Sequence, residues 1–195
     1  MYFLANLDKN INRMEWNTLK STGVVRRIDD LGRIVIPKEI RRNLKIRDGE
    51  LMEIFVDMDS IILKKYSKLE DMLSITEKIT EKLANLSNLN IIVTDRDHIL
   101  SCSGKEVSNI KNELLSKELI ELMDNRQSVN TSDRLNINIT NTNFLEGYFY
   151  IMPMISENDS IGLIAVYSKQ KFNESAEIIA KIIDFFLCSQ ININE

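Results

Sequence analysis

The sequence predicts an α+β protein in two parts, a small β-rich module near the N-terminus and a larger module of sheet and helices behind it. Two observations carry this. The 195-residue chain has a net charge of −4, yet residues 21–66 hold ten Lys and Arg against eight Asp and Glu, while residues 67–195 hold twelve against nineteen. Strand-like and helix-like apolar periods also alternate along the chain in short runs, sufficient for one domain of about 45 residues and one of about 125.

Taken in order, residues 1–20 (MYFLANLDKNINRMEWNTLK) show no sustained period and read as an extension, with Met14 as an alternative start and Lys20 as a residue near enough to the basic segment to reach its partner. Residues 22–50 (TGVVRRIDDLGRIVIPKEIRRNLKIRDGE) predict a strand at about 23–28, a turn at Asp29–Gly32, a strand at 33–36 and a helix at about 38–44. Val24, Val25, Ile28, Ile34, Val35 and Ile36 favour strands, Gly32 suits a turn, and Pro37 fits a first helical turn, where its missing N–H is not needed. Ile40 and Leu44, four apart, are expected to share the inward face. Strands at about 51–57 and 60–65 complete the module. So short a chain builds no self-sufficient core without disulfide, metal or partner, which makes dimerisation the physical requirement.

Leu69, Met72, Thr76, Ile79, Leu83 and Leu86 then recur at spacings of three and four, a linker helix over 67–88. Such a seam suits a helix packed on its own domain, a contact with a twin helix, or both. Beyond it, LNIIVTD (89–95) and HILSCSG (98–104) predict a hairpin, and NELLSKELIELMDN (112–125) a helix. RLNINIT alternates at period two, YFYIMPMI and IGLIAVYS are apolar strands, and SAEIIAKIIDFFLCSQ closes the chain as a helix.

Within 22–47 the basic residues Arg26, Arg27, Arg33, Lys38, Arg41, Arg42, Lys45 and Arg47 meet only Asp29, Asp30 and Glu39. A clustered positive field on an acidic protein is the footprint of a polyanion site, and the arginine fork suits phosphate oxygens and guanine edges. The order strand, DDLG turn, RIVIP strand, KEIRRNL helix and RDGE turn resembles the DNA-binding domain of the AbrB family of bacterial transition-state regulators. The resemblance implies an interlaced dimer of swapped hairpins on which Arg26, Arg27, Arg33, Arg41 and Arg42 fall at DNA-contacting positions, with Lys45 and Arg47 beside them. It further implies recognition through DNA shape and flexibility. The order of elements over 89–195 resembles a GAF domain, which adds assembly and a possible small-molecule ligand. Together the fold class is an AbrB-like swapped-hairpin domain over 21–66 joined to a GAF-like α+β domain. The function implied is a tetrameric regulator of sporulation genes in the forespore, activating some and repressing others. The alternative is an antitoxin, since antitoxins share such hairpins.

Other chemistry is poorly supplied. No apolar run approaches the roughly 18 residues of a membrane span, and the first residues lack an apolar signal core, so a cytoplasmic protein is expected. Cys102 and Cys188 have no C-x-x-C spacing and read as buried free thiols. His98 is the sole histidine, and no phosphate loop or dinucleotide fingerprint occurs; an enzyme, a metal and a cofactor are not expected. Asp95, Asp97 and His98 form either a metal group or, on the alternation of strand side chains, a polar turn. Phe144, Tyr148, Phe149, Tyr150, Met152 and Met154 line either a ligand pocket or a core.

Overall fold

In the computed structural model, residues 22–193 are described; the extension expected over 1–20 lies outside them. The chain divides into two compact units, Met1–Glu50 and Leu51–Glu195.

In the first unit the turn forms as expected. The Asp29 carboxylate accepts from the Leu31 and Arg33 N–H groups at 3.1 and 2.8 Å, Gly32 N–H donates to the Asp29 carbonyl at 3.0 Å, and Asp29 N–H reaches the Arg33 carbonyl at 3.1 Å. Gly32 has φ 75°, left-handed backbone that glycine adopts without cost. The strands expected at 23–28 and 33–36 do not form a ladder. Strand propensity measures fit to a neighbouring strand, and among the described residues no strand pairs with this segment. Val25 stays 85% exposed and Val35 71%. Helix α1 (Lys38–Asn43) follows Pro37. Ile40 is half-buried, but Leu44 is exposed, because among the described residues neither core cluster draws on this unit.

The second unit opens with strands β1 (Met52–Asp57) and β2 (Ser60–Lys65), an antiparallel hairpin turning on Met58 and Asp59. A one-turn helix α2 (Lys68–Asp71) follows, with Ser67 Oγ accepting from Glu70 N–H at 3.3 Å, and then α3 (Leu73–Ser87). After these come β3 (Asn90–Thr94), β4 (Ile99–Ser103), α4 (Lys117–Asp124), β5 (Val129–Asn130), β6 (Leu135–Asn138), β7 (Phe144–Ser156), β8 (Asp159–Ser168) and α5 (Ser175–Ile193). The second sheet is antiparallel in the order β4-β3-β8-β7-β5, with β6 also on β7.

Alternation on the strands builds two cores. From β3, Ile91 and Val93 join α3 and α5 through Ile179, Ile183 and Leu187; Ile92 points the other way. From β8, Ile164 and Val166 take the first side, while Leu163, Ala165 and Tyr167 join Leu119 and Met123 of α4 on the second. The sheet thus lies between helical layers, an α+β arrangement.

Two expectations are corrected. The helix expected over 112–125 begins at Lys117. Asn112 has φ 65°, Leu115 bridges Thr140, and Ser116 caps the helix by accepting from Leu119 N–H at 3.1 Å. The seam over 69–86 is broken at Met72, and its last member Leu86 is 82% exposed. The buried line of α3 is instead Thr76, Thr80 and Ala84, four apart, flanked by Ile79 and Leu83, so this helix packs on its own domain. Thr80 Oγ1 lies 2.8 Å from Ser101 Oγ and accepts from Ser103 Oγ at 3.0 Å, which satisfies polar groups at the α3–β4 contact.

Candidate nucleic-acid interface

The seven basic residues all lie in the first unit, on four short stretches. Arg26 and Arg27 precede the Asp29 turn, and both are exposed; Arg26 Nη1 donates to the Val25 carbonyl at 3.1 Å. Arg33 leaves the turn with its Nε 2.8 Å from Asp29 Oδ2, the two side chains 71% and 37% exposed. Those Arg33 hydrogen bonds, from backbone and then side chain, hold the Asp29 carboxyl below its ordinary pKa. A pair this exposed contributes little to stability, so a phosphate can compete for the guanidinium.

Arg41 and Arg42 occupy the last turn of α1, where positive charge is favourable at the negative end of the helix dipole, and both are exposed. Among the described residues neither they nor Arg27 makes an ion pair. Arg47 is half-buried; its N–H donates to Glu50 Oε2 at 2.8 Å and its Nη1 lies 3.9 Å from Glu50 Oε1.

Lys45 ends the helix in an unusual way. Ile46 N–H donates to the Arg41 carbonyl at 2.7 Å and Lys45 N–H to the Arg42 carbonyl at 3.2 Å, the paired bonds of a Schellman cap. Lys45 therefore stands at φ 53°, where glycine is the usual residue. Lys45→Gly is expected to raise the stability of this unit by up to about 1 kcal/mol, because it relieves left-handed backbone cost while losing an exposed side chain. Urea denaturation of the two proteins under one buffer reads the difference. A lower midpoint in the glycine variant contradicts it.

Sequence reasoning found the residue types but passed over Asp29 as an organiser of the site. Its signal was present, since Asp followed three residues later by Gly marks a side-chain-closed turn.

The other candidates separate. Asp95 Oδ1 accepts from Asp97 N–H at 2.7 Å and His98 N–H at 2.6 Å, with His98 Nδ1 4.0 Å away, while Asp97 pairs with Lys65. This is the polar turn; burial pushes the Asp95 carboxyl up, and no group of three metal-ligating side chains occurs among the described residues. The aromatic and methionine set divides by strand alternation: Phe149 enters one core, Tyr150 and Met154 the other with Met152 beside them, and Phe144 is exposed. Tyr148 sets its ring edge-on to Phe172, centroids 6.5 Å apart. The six do not line one cavity. Cys102 and Cys188 are free, and burial with the nearby Asp184 pushes the Cys188 thiol up to about 12. A groove of about 310 Å3 between α3 and β4 includes Glu77, Cys102 and Lys111, and there Lys111 is ion-paired to Glu77.

Residues 71–192 match the family model described as stage V sporulation protein T C-terminal, transcription factor, and residues 25–71 match that of the MazE antitoxin, antidote-toxin recognition. The chain is 39% identical over 155 residues to stage V sporulation protein T of Bacillus subtilis, covering 78% of this chain and 87% of that one. It is 41% identical over 98 residues to the transition state regulatory protein AbrB of the same organism, covering 49% of this chain and 94% of that one. The solution structure of the N-domain of the transcription factor AbrB is 57% identical, covering 25% of this chain and 94% of that chain, with a TM-score of 0.24.

Proposed function

The chain belongs to the stage V sporulation protein T family of transcription factors, and from that premise we propose that it is a DNA-binding regulator of sporulation genes. Arg26, Arg27, Arg33, Arg41, Arg42, Lys45 and Arg47 contact duplex DNA. Residues 21–66 form an interlaced dimer, residues 67–88 lead into the GAF-like domain over 89–195, and that domain joins dimers into a tetramer. The protein acts at the nucleoid of the forespore, in the cytoplasm, activating some genes and repressing others.

The observation that carries this is the exposure of Arg27, Arg41 and Arg42 without an acidic partner among the described residues, on a chain that is acidic overall. Unneutralised guanidiniums in a negative protein repel one another unless a polyanion arrives. The dimer is supported by the exposed Val25, Ile28, Ile34, Val35 and Leu44, apolar side chains that a second chain would cover. A small-molecule input to the GAF-like domain has less support, because Phe149, Tyr167 and Met123 already fill the face beneath α4.

The antitoxin alternative draws on the match of residues 25–71. We favour the regulator, since an antitoxin needs a segment free to wrap its toxin, and residues 89–168 bury their apolar side chains on both faces of a sheet.

Fluorescence anisotropy with a labelled duplex tests the assignment. Neutralising some six to ten phosphates, the affinity is expected to fall by about 10³ to 10⁵ between roughly 50 and 200 mM salt. An affinity indifferent to salt would refute a phosphate-gripping basic site.

A further inference from the structure

At one end of the large sheet, two turns each hold two different parts of the molecule on neighbouring residues. In the β3–β4 turn, Arg96 Nη2 lies 3.4 Å from Asp124 Oδ1 at the end of α4, and the next residue, Asp97, receives Lys65 Nζ of β2 at 2.5 Å. In the β7–β8 turn, the Asn158 carbonyl accepts from the Arg126 guanidinium just beyond α4, and its neighbour Glu157 lies 3.7 Å from Lys68 Nζ. Thr94 pairs with Leu163 across the antiparallel β3 and β8, which puts both turns at the same end. Ser160 Oγ adds a bond to the Met123 carbonyl at 3.0 Å, again on α4.

The stretch that the turns grip, 65–69, is the covalent passage from the β1–β2 hairpin into the sheet domain. Leu69 is 1% exposed, Ser67 caps α2, and Lys64 reaches Glu70 at 3.1 Å. Ion pairs on Lys65 and Lys68, three residues apart, restrain both tilt and rotation of the strand leaving the hairpin, where a single pair would leave a hinge. The Asp97 side chain is 7% exposed and Lys65 27%, so solvent screens this pair less than one at the surface. Glu157, 57% exposed, is the weaker anchor.

We propose that Asp97 and Glu157 are positioning residues for DNA binding, fixing the β1–β2 hairpin to the sheet end that α4 also holds. The proposal rests on the DNA-binding function above. The basic segment is joined to this hairpin at Glu50–Leu51, so a loosened junction widens the range of orientations from which two copies must be brought into register on one duplex. A shift of α4 reaches the junction through the back-to-back pairs Arg96–Asp97 and Glu157–Asn158. Two elements that share both turns bias one another's arrangement.

Anisotropy on the full chain tests this with Asp97→Asn, Lys65→Met, their double variant and Glu157→Gln, at a temperature where circular dichroism shows each folded. Asp97→Asn and Lys65→Met are each expected to weaken duplex affinity about threefold to tenfold. The double variant should lose no more than either single one. Glu157→Gln should lose about twofold or less. The salt slope should stay that of the wild type, because no phosphate contact is removed. Should either single variant not fold, the other still reads the contact. Wild-type affinity in folded Lys65→Met overturns the positioning role. A shallower salt slope does so too, by making Lys65 itself a DNA contact. A wild-type chain that binds no duplex at all is a different failure, that of the DNA-binding function.

Discussion

Replacing Arg41 and Arg42 together by alanine is expected to lower DNA affinity by roughly thirtyfold to a thousandfold, about 2 to 4 kcal/mol, at about 1 to 2 kcal/mol for each lost bidentate contact. Both side chains are exposed in the last turn of α1, and no described acidic residue pairs with them. Their loss therefore removes no core packing and leaves no buried partner. Alanine is also the better helix former, so α1 itself is not weakened. Folding, read by circular dichroism, should stay within about 0.5 kcal/mol of the wild type. Anisotropy at fixed salt reads the affinity, and an unchanged value in a folded, assembled variant removes α1 from the interface. Arg33→Ala should do less, because the Asp29 carboxylate already shares that guanidinium at 2.8 Å.

The largest stability effect is expected at Gly162, in the second unit. A Cβ there would lie 2.0 Å from the Thr94 carbonyl oxygen and 2.9 Å from Met154 Cε. The approach is this close because Thr94 Oγ1 accepts the Leu163 N–H at 3.0 Å, drawing β8 against β3 at the end of their pairing. A backbone carbonyl in a central strand pair cannot swing aside as a flexible side chain would. Gly162→Ala is expected to cost on the order of 3 kcal/mol, and Gly162→Val more. For a domain of this size that is a drop of about 6 to 12 °C in melting temperature, read by calorimetry. Melting of Gly162→Ala at the wild-type temperature would show that β3 and β8 separate freely at this point.

Much of this architecture is readable from residue order, and where it is not, the reason is physical. The β3–β4 and β7–β8 hairpins and α5 announce themselves through dense apolar runs bounded by polar turns. Leu114 and Leu115 carry helical spacing as well, but Ser116 is a capping residue, and a cap outranks spacing because it satisfies N–H groups that the helix leaves open. Strand β5 is two residues long and has no period to read. The strand signal at 23–36 is real in composition, yet a ladder is a property of two paired strands, and among the described residues none pairs with this segment. In the basic segment, residue type and clustering were enough to nominate the site. The φ of Lys45 and the Asp29–Arg33 pair were not, since both depend on how the turn closes. Lys65 and Asp97, 32 residues apart, obey no local pattern at all.

Strand β8 sends alternate side chains to opposite sides of one sheet, so the two cores share a wall. Neither can open while the other stays shut, because fraying β8 removes Ile164 and Val166 from one and Leu163, Ala165 and Tyr167 from the other in the same event. The domain is thus expected to behave as a single foldon, its central amides exchanging with solvent through global unfolding and damage beneath α4 felt beneath α5.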